Sequence, residues 1–253
     1  MGAPFVAASI LTADFGNLQR VVRTLEKAGV DRLHLDVMDG HFVPNLTFGV
    51  DVAAAVARLT KLPVDVHLMI SEPSRFAEGF WRAGADSITF HLEAPESEAV
   101  KRETLAAIRG AGLAAGLAIS PGTPVSALES YRALLDIVMV MTVVPGAGGQ
   151  RFLHDEAGKI AAACALLGSG PGRREVHVDG GINRDTAMVS GSLGADVLVV
   201  GSALFQRGLD TAREVALVRD LAGEGRRLAA AGAAPDDGVG RRIIAAHDRA
   251  AAR

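Results

Sequence analysis

The sequence predicts an α/β protein whose parallel strands close into a (β/α)₈ TIM barrel. Apolar segments rich in Val, Ile and Leu alternate with helical segments roughly eight times, and continuous apolar strands are typical of a parallel sheet covered on both faces. The chain has 253 residues, about the length that eight such units need. Polar residues of interest fall at C-terminal strand ends, where these barrels place their sites. A doubly wound open sheet is the competing fold, but no G-x-G-x-x-G motif follows the first strand.

The first half of the chain contains four predicted strand–helix units. The first helix carries Leu18, Val21, Val22 and Leu25 at helical spacing, and Gly29 closes it, as glycine commonly does. In order, we predict strand 5–11, the helix ending at 28, strand 33–38, helix 50–59, strand 64–69, helix 72–83, strand 87–91 and helix 97–109.

The second half repeats the pattern. In order, we predict strand 114–119, helix 125–134, strand 136–144, helix 153–167, a loop at 168–174, a strand ending at Asp179, helix 183–193 and strand 195–202. Asn183 has the side chain of a helix N-cap. These units complete the barrel.

The C-terminal part differs in composition. Beyond Leu221 the chain is rich in Ala, Gly and Arg, and residues 232–240 have the composition of a flexible linker. Residues 241–253 could form a helix with Ile243, Ile244 and His247 on one side, and we expect it to dock on a neighbour. We therefore predict a catalytic barrel domain at 1–222 and a linker with a helical tail at 223–253.

Composition excludes several classes of partner. The formal net charge of -3 gives no basic surface for nucleic acid. The single cysteine, Cys164, cannot form a disulfide within the chain, which is typical of a reduced, intracellular protein. Apolar stretches are interrupted well short of the ~20 residues of a membrane-spanning helix. We expect a cytoplasmic protein with no membrane partner.

Two strands carry histidines and carboxylates among apolar residues. In a strand, residues two apart share a face, so His34, Asp36 and Met38 lie on one side. His67 and Met69 repeat the arrangement in strand 64–69. A lone His-x-Asp is more often a structural hydrogen bond between core residues, but the repetition favours a functional site.

A third strand ends in Asp179 and a glycine pair, which completes a candidate ligand set. Mixed imidazole and carboxylate ligands suit Zn²⁺, and also Fe²⁺, Mn²⁺ or Co²⁺. Asp65 either orients a ligand or is a structural core carboxylate. The candidate metal ligands are His34, Asp36, His67 and Asp179, and His41, His91, His154, His177 and His247 are weaker candidates by position.

Glycine-rich loops follow the last three strands. Loops after the seventh and eighth strands are the usual phosphate site of a TIM barrel, and free backbone N–H groups favour an anion. A single glycine pair would more often be a plain turn, but three at one end of a barrel favour a phosphorylated substrate. The loop residues are Gly146, Ala147, Gly148, Gly149, Gly180, Gly181, Gly201 and Ser202.

Methionines would line the same mouth of the barrel. Met38, Met69 and Met141 each fall near a C-terminal strand end. Methionine usually fills gaps in cores, and around a metal and two carboxylates it would keep the site dry without adding charge.

Several motifs resemble those of the ribulose-phosphate 3-epimerase family from residue 5 to 205. They are ASILTADF at 8–15, HLDVMDGHFVPN at 34–45, DVHLM at 65–69, MTVVPG at 141–146, VDGG at 178–181 and GSA at 201–203. The resemblance implies a metal-dependent isomerase of the pentose phosphate pathway that interconverts D-ribulose 5-phosphate and D-xylulose 5-phosphate. It also implies a homo-oligomer, either a dimer or a hexamer.

The resemblance also implies roles for individual residues. Asp36 and Asp179 would be metal ligands and the catalytic acid–base pair, and Ser9 and His67 would contact the substrate. Asp179 and the glycine-rich loops would hold the phosphorylated ketose. Two carboxylates on opposite sides of C3 can remove a proton and return one, and a metal would stabilise the charge of the enediolate.

The sequence departs from the family pattern before the first serine and at the phosphate loop. Ala8 replaces a usual proline, Ala147 a usual phenylalanine, and Val144 a residue that is commonly polar. These changes keep open an epimerase of a hexulose 6-phosphate such as D-allulose 6-phosphate. A sugar-phosphate lyase or decarboxylase is disfavoured because no lysine falls at a predicted strand end, and a non-catalytic sensor because all four ligand positions are intact.

Overall fold

Eight parallel strands close into a barrel in chain order, with the last strand paired to the first. The computed structural model describes residues 2–168, 174–206, 208–235 and 237–251. The strands are β1 (Phe5–Ser9), β2 (Arg32–Met38), β3 (Val64–Met69), β4 (Ser87–His91), β5 (Ala114–Ile119), β6 (Ile137–Met141), β7 (Glu175–Asp179) and β8 (Val197–Val200). The predicted (β/α)₈ TIM barrel with a closed parallel sheet is confirmed.

Helices follow the strands and cover the outside of the barrel. They are α1 (Leu18–Ala28), α2 (Val50–Leu59), α3 (Pro73–Arg82), α4 (Glu98–Gly110), α5 (Gly158–Leu167), α6 (Ala187–Ser192), α7 (Thr211–Ala230) and α8 (Asp237–Ala251), with a 3₁₀ helix (Val125–Leu134) between β5 and β6. In the described ranges, none of these helices has both the length and the apolar character to cross a membrane.

Several predicted boundaries were wrong near the C-terminal strand ends. β1 ends at Ser9, where the Ser9 hydroxyl accepts a hydrogen bond from Leu11 N and starts a turn. β6 ends at Met141, because the Thr142 hydroxyl donates to the carbonyl of Gly180. β8 ends before Gly201, whose φ and ψ are both −105°. These strands therefore end before their apolar runs end, at a side-chain hydrogen bond of Ser9 or Thr142 or at the backbone turn of Gly201.

Helical boundaries differ in a similar way. The segment Val125–Leu134 is a 3₁₀ helix rather than an α-helix. A short 3₁₀ turn at His154–Glu156 precedes α5. α6 begins four residues after Asn183, so Asn183 is not its N-cap: the Asn183 side chain accepts from Asp185 N and forms a turn instead. The predicted loop at 168–174 lies outside the described residues except at its two ends.

The C-terminal tail packs against its own barrel. Asp210 is the N-cap of α7, and its side chain accepts from Ala212 N and Arg213 N. The helix runs without a break across the predicted boundary at 222/223. α8 begins at Asp237, inside the predicted linker. Its Ile243 and Ile244 pack against the main core. α8 also contacts α7, and His247 Nε2 lies 3.0 Å from Asp220 Oδ2 of that helix, so α8 docks on α7 of the same chain.

The apolar core lies mainly between the barrel and its helices, whereas part of the barrel interior is polar. Leu33, Leu35 and Val37 of β2 pack in the main core. Alternate residues of β2 face the other way. Buried polar side chains on β1 to β4 and β7 are Ser9, His34, Asp36, Asp65, His67, Ser87, Thr89, His91, Glu175 and His177. The site is built from this polar interior.

Candidate active site

Strand register brings the four predicted ligands together. Asp36 on β2 is level with His67 on β3, and Asp179 ends β7 beside Met141. One ligand atom each from His34, Asp36, His67 and Asp179 lies within 4.8 Å of every other. This buried cluster could hold a metal ion.

His34 shows how well the cluster fits a cation. Its Nδ1 lies 2.8 Å from Asp65 Oδ2, and a carboxylate only accepts hydrogen bonds. Its Nε2 is buried, has no hydrogen-bond partner and lies 3.4 Å from Asp36 Oδ1. Asp65, which also accepts from Ser87 Oγ at 2.6 Å, therefore points the other nitrogen of His34 toward the cluster.

The carboxylates also control the protonation of His34. Burial by itself lowers the pKa of His34, but the negative charges of Asp36 and Asp65 outweigh it and raise that pKa well above its usual value. A cation that binds His34 would have to replace the proton, because metal ligation requires a neutral imidazole.

Asp36 is held from both sides of its carboxyl group. Oδ2 accepts from the Ser9 hydroxyl at 2.6 Å. Oδ1 lies 3.2 Å from His67 Nδ1. Burial raises the pKa of Asp36, but His34 and His67 more than offset this and hold it far below its usual range. Asp36 is therefore an ionised carboxylate.

His67 bonds to His91, a weaker ligand candidate by its position in the sequence. His67 Nε2 lies 2.9 Å from His91 Nε2, and His91 Nδ1 lies 3.1 Å from Glu93 Oε2. Burial lowers the pKa of His91 to about 4, so its imidazole is neutral. Burial raises the pKa of Glu93, but hydrogen bonds from His91, Thr123 and Ser120 N outweigh it and lower that pKa to about 2.

A cavity opens above the cluster at the C-terminal ends of the strands. Asp36 and Asp179 reach its wall. His67, which is fully buried, is not among the residues that line it, so its contact with substrate stays a prediction. The lining also includes residues that we had predicted for the site, namely Ser9, Met38, Met69, Met141, Gly146, Ala147, Gly148, Gly149, Gly180, Gly181, Gly201 and Ser202.

Other lining residues were missed from the sequence. They are Leu11, Thr12, Val143, Pro145, Gln150, Ile182 and Val199. Val199 could have been found from register, because it is the β8 partner of Asp179. The others lie in loops, next to residues that were predicted. Apart from Thr12 and Gln150 they have apolar side chains, so nothing in the sequence marks them as site residues.

The loop after β6 is held by side-chain amides. Gln150 Nε2 donates to the carbonyls of Val144 at 2.7 Å and Ala147 at 2.8 Å. Asn45 Nδ2 donates to the carbonyl of Gly146 at 3.0 Å. No lysine or arginine is among the described residues that line the cavity. An anion at this end would therefore be held by backbone N–H groups.

The glycine pair after β7 is required by packing. Gly181 has φ +68°, and a Cβ there would lie 2.4 Å from Phe152 N. Gly180 has φ +119°, and a Cβ there would lie 2.5 Å from Val143 Cγ2. The pair lets the Asp179 loop lie directly against the loop after β6.

Comparisons with known proteins agree with this geometry. Residues 5–205 match the Ribulose-phosphate 3 epimerase family. Ribulose-phosphate 3-epimerase of Rhodobacter capsulatus is 44% identical over 210 residues, which are 83% of this chain and 90% of that protein. The enzyme of the same name from Bacillus subtilis (strain 168) is 44% identical over 202 residues, which are 79% of this chain and 91% of that one.

A solved structure with low sequence identity shares the fold. The 3-keto-L-gulonate-6-phosphate decarboxylase of Vibrio cholerae aligns with a TM-score of 0.64 at 15% identity, over 88% of this chain and 98% of that chain. At this identity the likeness concerns the barrel alone.

Proposed function

The chain belongs to the ribulose-phosphate 3-epimerase family, and we propose that it interconverts D-ribulose 5-phosphate and D-xylulose 5-phosphate with two carboxylates and one divalent metal ion. It is an epimerase of the isomerase class and acts in carbohydrate metabolism, in the pentose phosphate pathway. One observation supports this mechanism most directly. Asp36 and Asp179 belong to the same ligand cluster, and both line the cavity in which the sugar would bind.

Asp36 and Asp179 would act as base and acid at C3 of the sugar. Asp36 is ionised, which suits a base. Asp179 comes from β7, and its carboxyl is 15% exposed toward the cavity. One carboxyl group would take the C3 proton from one face and the other would deliver a proton to the opposite face. In the reverse reaction the two groups exchange roles.

His34, Asp36, His67 and Asp179 would hold the metal. Two imidazoles and two carboxylates favour Zn²⁺, with Fe²⁺, Mn²⁺ and Co²⁺ as alternatives. The bound cation would stabilise the negative charge that develops on the sugar oxygens during proton transfer. Ser9 would orient Asp36 and contact the substrate beside it.

The phosphate would lie at the glycine-rich end of the cavity. Backbone N–H groups of Gly146 to Gly149, Gly180, Gly181, Gly201 and Ser202 would surround it. We also propose that the protein is cytoplasmic, that its copies form a dimer or hexamer, and that residues 1–222 are the catalytic domain and 223–253 its tail.

A hexulose 6-phosphate such as D-allulose 6-phosphate is the second candidate substrate. Ala147 lines the cavity where the family usually carries a phenylalanine. A smaller side chain there leaves room for one more carbon. The ratio of kcat/KM for the two sugars distinguishes the candidates.

The test is turnover of both sugars before and after removal of metal with a chelator. We expect conversion of D-ribulose 5-phosphate to stop without metal and to return with Zn²⁺ or a related divalent ion. Full activity of a metal-free protein would contradict the metal site. Conversion of D-allulose 6-phosphate alone would move the assignment to the hexulose sugar.

A further inference from the structure

A chain of hydrogen bonds leads from the buried His67 to the partly exposed carboxylate of Glu93, outside the ligand cluster. His67 Nε2 contacts His91 Nε2 at 2.9 Å, and His91 Nδ1 contacts Glu93 Oε2 at 3.1 Å. We propose that His91 and Glu93 are positioning residues that fix the tautomer of His67, so that His67 Nδ1 faces the metal. This inference rests on the metal site of the proposed function.

Two arrangements of hydrogens satisfy the contact between His67 and His91. In the first, His67 carries its hydrogen on Nε2, donates it to His91 and keeps a lone pair on Nδ1. In the second, His91 donates, and His67 carries its hydrogen on Nδ1, which lies 3.2 Å from Asp36 Oδ1. Only the first arrangement permits a metal on Nδ1, because a ligating nitrogen must present its lone pair.

Asp36 Oδ1 can only accept and therefore favours the second arrangement, whereas Glu93 favours the first. There, His91 carries its hydrogen on Nδ1 and donates it to Glu93 Oε2. In the second arrangement, a lone pair on His91 Nδ1 would face a carboxylate oxygen that can only accept. Ser120 N donates to Glu93 Oε1 at 2.8 Å and fixes the carboxylate in place. The Ser120 hydroxyl, 3.2 Å from His91 Nδ1, can donate or accept and does not choose between the arrangements.

Both histidine ligands are therefore oriented by a carboxylate. His34 is oriented directly by Asp65 at 2.8 Å. His67 is oriented by Glu93 through the intervening ring of His91. Such partners typically change metal affinity by about ten- to hundred-fold when they are replaced. Neither His91 nor Glu93 lines the substrate cavity or supplies an atom to the ligand cluster, so their effect would pass through His67.

The test is the affinity of the metal-free, full-length protein for Zn²⁺, measured by competition with a chelator of known affinity. In Glu93→Gln, an amide NH₂ must face either His91 Nδ1 or Ser120 N–H, which removes the preference for the first arrangement. We expect a loss of affinity of about ten-fold or more. Glu103→Gln, at an exposed site on α4, is the matched control and should bind like wild type. Thermal unfolding of each metal-free variant reports the fold separately.

A second pair of variants tests His91 itself. In His91→Gln an amide oxygen can accept from His67 Nε2, whereas His91→Leu offers no acceptor. We expect His91→Gln to retain most of the Zn²⁺ affinity that His91→Leu loses. Wild-type affinity in Glu93→Gln, or equal losses in both His91 variants, would overturn the inference. A wild-type protein that binds no Zn²⁺ would overturn the metal site first and this inference with it.

Discussion

Asp36 and Asp179 have the same type of side chain but different surroundings. Asp36 is 3% exposed and is held by Ser9 and two histidines. Asp179 is more open, with His67 Nδ1 at 3.6 Å from its Oδ2. An epimerase uses two carboxyl groups together, because one must take a proton while the other gives one.

The first prediction concerns Asp179. Asp179→Asn should lower kcat by about a hundred-fold or more, since an amide cannot exchange the proton, and it should also weaken metal binding. Steady-state turnover at saturating metal measures the first effect. Asp185→Asn, an exposed carboxylate in the same loop, is the control. Near-normal turnover in Asp179→Asn would contradict the two-carboxylate mechanism.

Much of the site could be predicted at this scale. The period of two in a strand is enough to place His34, Asp36 and Met38 on one face. The His91–Glu93 contact could not be predicted, because it depends on side-chain rotamers and on the position of Ser120 from the next strand. Sequence alone also left two roles open for Asp65, whose contact with His34 Nδ1 is visible only in three dimensions.

At the scale of elements, the loops after β6 and β7 depend on close backbone packing. Gly181→Ala would place a Cβ 2.4 Å from Phe152 N at a φ of +68°. We expect unfolding free energy to fall by about 1–3 kcal/mol and KM for the phosphorylated sugar to rise. Chemical denaturation and steady-state kinetics measure these effects.

Gly110 provides the matched control for that substitution. It ends α4, and a Cβ there would meet nothing within 4 Å. Gly110→Ala should be neutral or should stabilise the protein by up to about 1 kcal/mol. Equal effects of the two substitutions would mean that the contact with Phe152 does not constrain the loop.

The tail is a second feature at the element scale. Ile243→Ser together with Ile244→Ser should lower the melting temperature by several degrees, since about 2 kcal/mol of apolar burial is lost. Turnover should be unchanged, because no described residue of α8 lines the cavity. Arg242→Ser, exposed on the same helix, is the control. An unchanged melting temperature would mean that α8 does not stabilise the barrel.

Element types were predictable because strand and helix periods differ, but their ends were not. Ser9 and Asn183 each make a hydrogen bond within their own turn where an element ends or is delayed, and Thr142 bonds to Gly180 of the next strand's loop just after β6 ends. The start of α8 at residue 237 was missed because the glycines at 232–240 have low helix propensity. Packing of α8 against α7 outweighs that low propensity.

At the scale of the whole molecule, a polar network crosses the barrel interior. Arg32 Nη1 at the start of β2 donates to Glu175 Oε2 at 2.9 Å, and that oxygen lies 3.0 Å from His177 Nε2. His177 Nδ1 lies 3.6 Å from Asp65 Oδ2, and Asp65 orients His34. The N-terminal end of the barrel is thus linked to the metal cluster by buried charges.

Glu175 makes this network sensitive to acid. Burial raises its pKa, but His177 and Arg32 outweigh burial and lower the pKa from 4.5 to about 2. A depressed carboxyl pKa stabilises the fold above the unfolded value of 4.5, and this stabilisation is lost as the pH falls from 4.5 toward 2. Glu175→Gln should be less stable than wild type at neutral pH, by on the order of 2 kcal/mol.

The measurement is the free energy of unfolding of wild type and Glu175→Gln across that acid range. The difference between them should shrink as the pH falls below 4.5. Glu103→Gln should show no such pH dependence. A difference that stays constant to pH 2 would mean that Glu175 is not held ionised by His177 and Arg32.

Closure of the barrel could be predicted from the number of repeats, since strand–helix units of this length leave few alternatives. The interior network could not, because Arg32 on β2 and Glu175 and His177 on β7 lie on strands that are not paired with each other, and their side chains meet only across the interior of the closed barrel. Chain length and hydrophobic periodicity are enough to predict the architecture. To predict which buried charged side chains pair, the position of every strand in the barrel must be known.

The most direct measurement follows the proton at C3 of D-ribulose 5-phosphate in D₂O with the metal-loaded protein. Two carboxylates that act from opposite faces should give D-xylulose 5-phosphate that carries solvent deuterium at C3 at early conversion, while the remaining substrate keeps its proton. Product that retains the proton of the substrate would show a single group carrying it between faces, and would contradict the roles of Asp36 and Asp179.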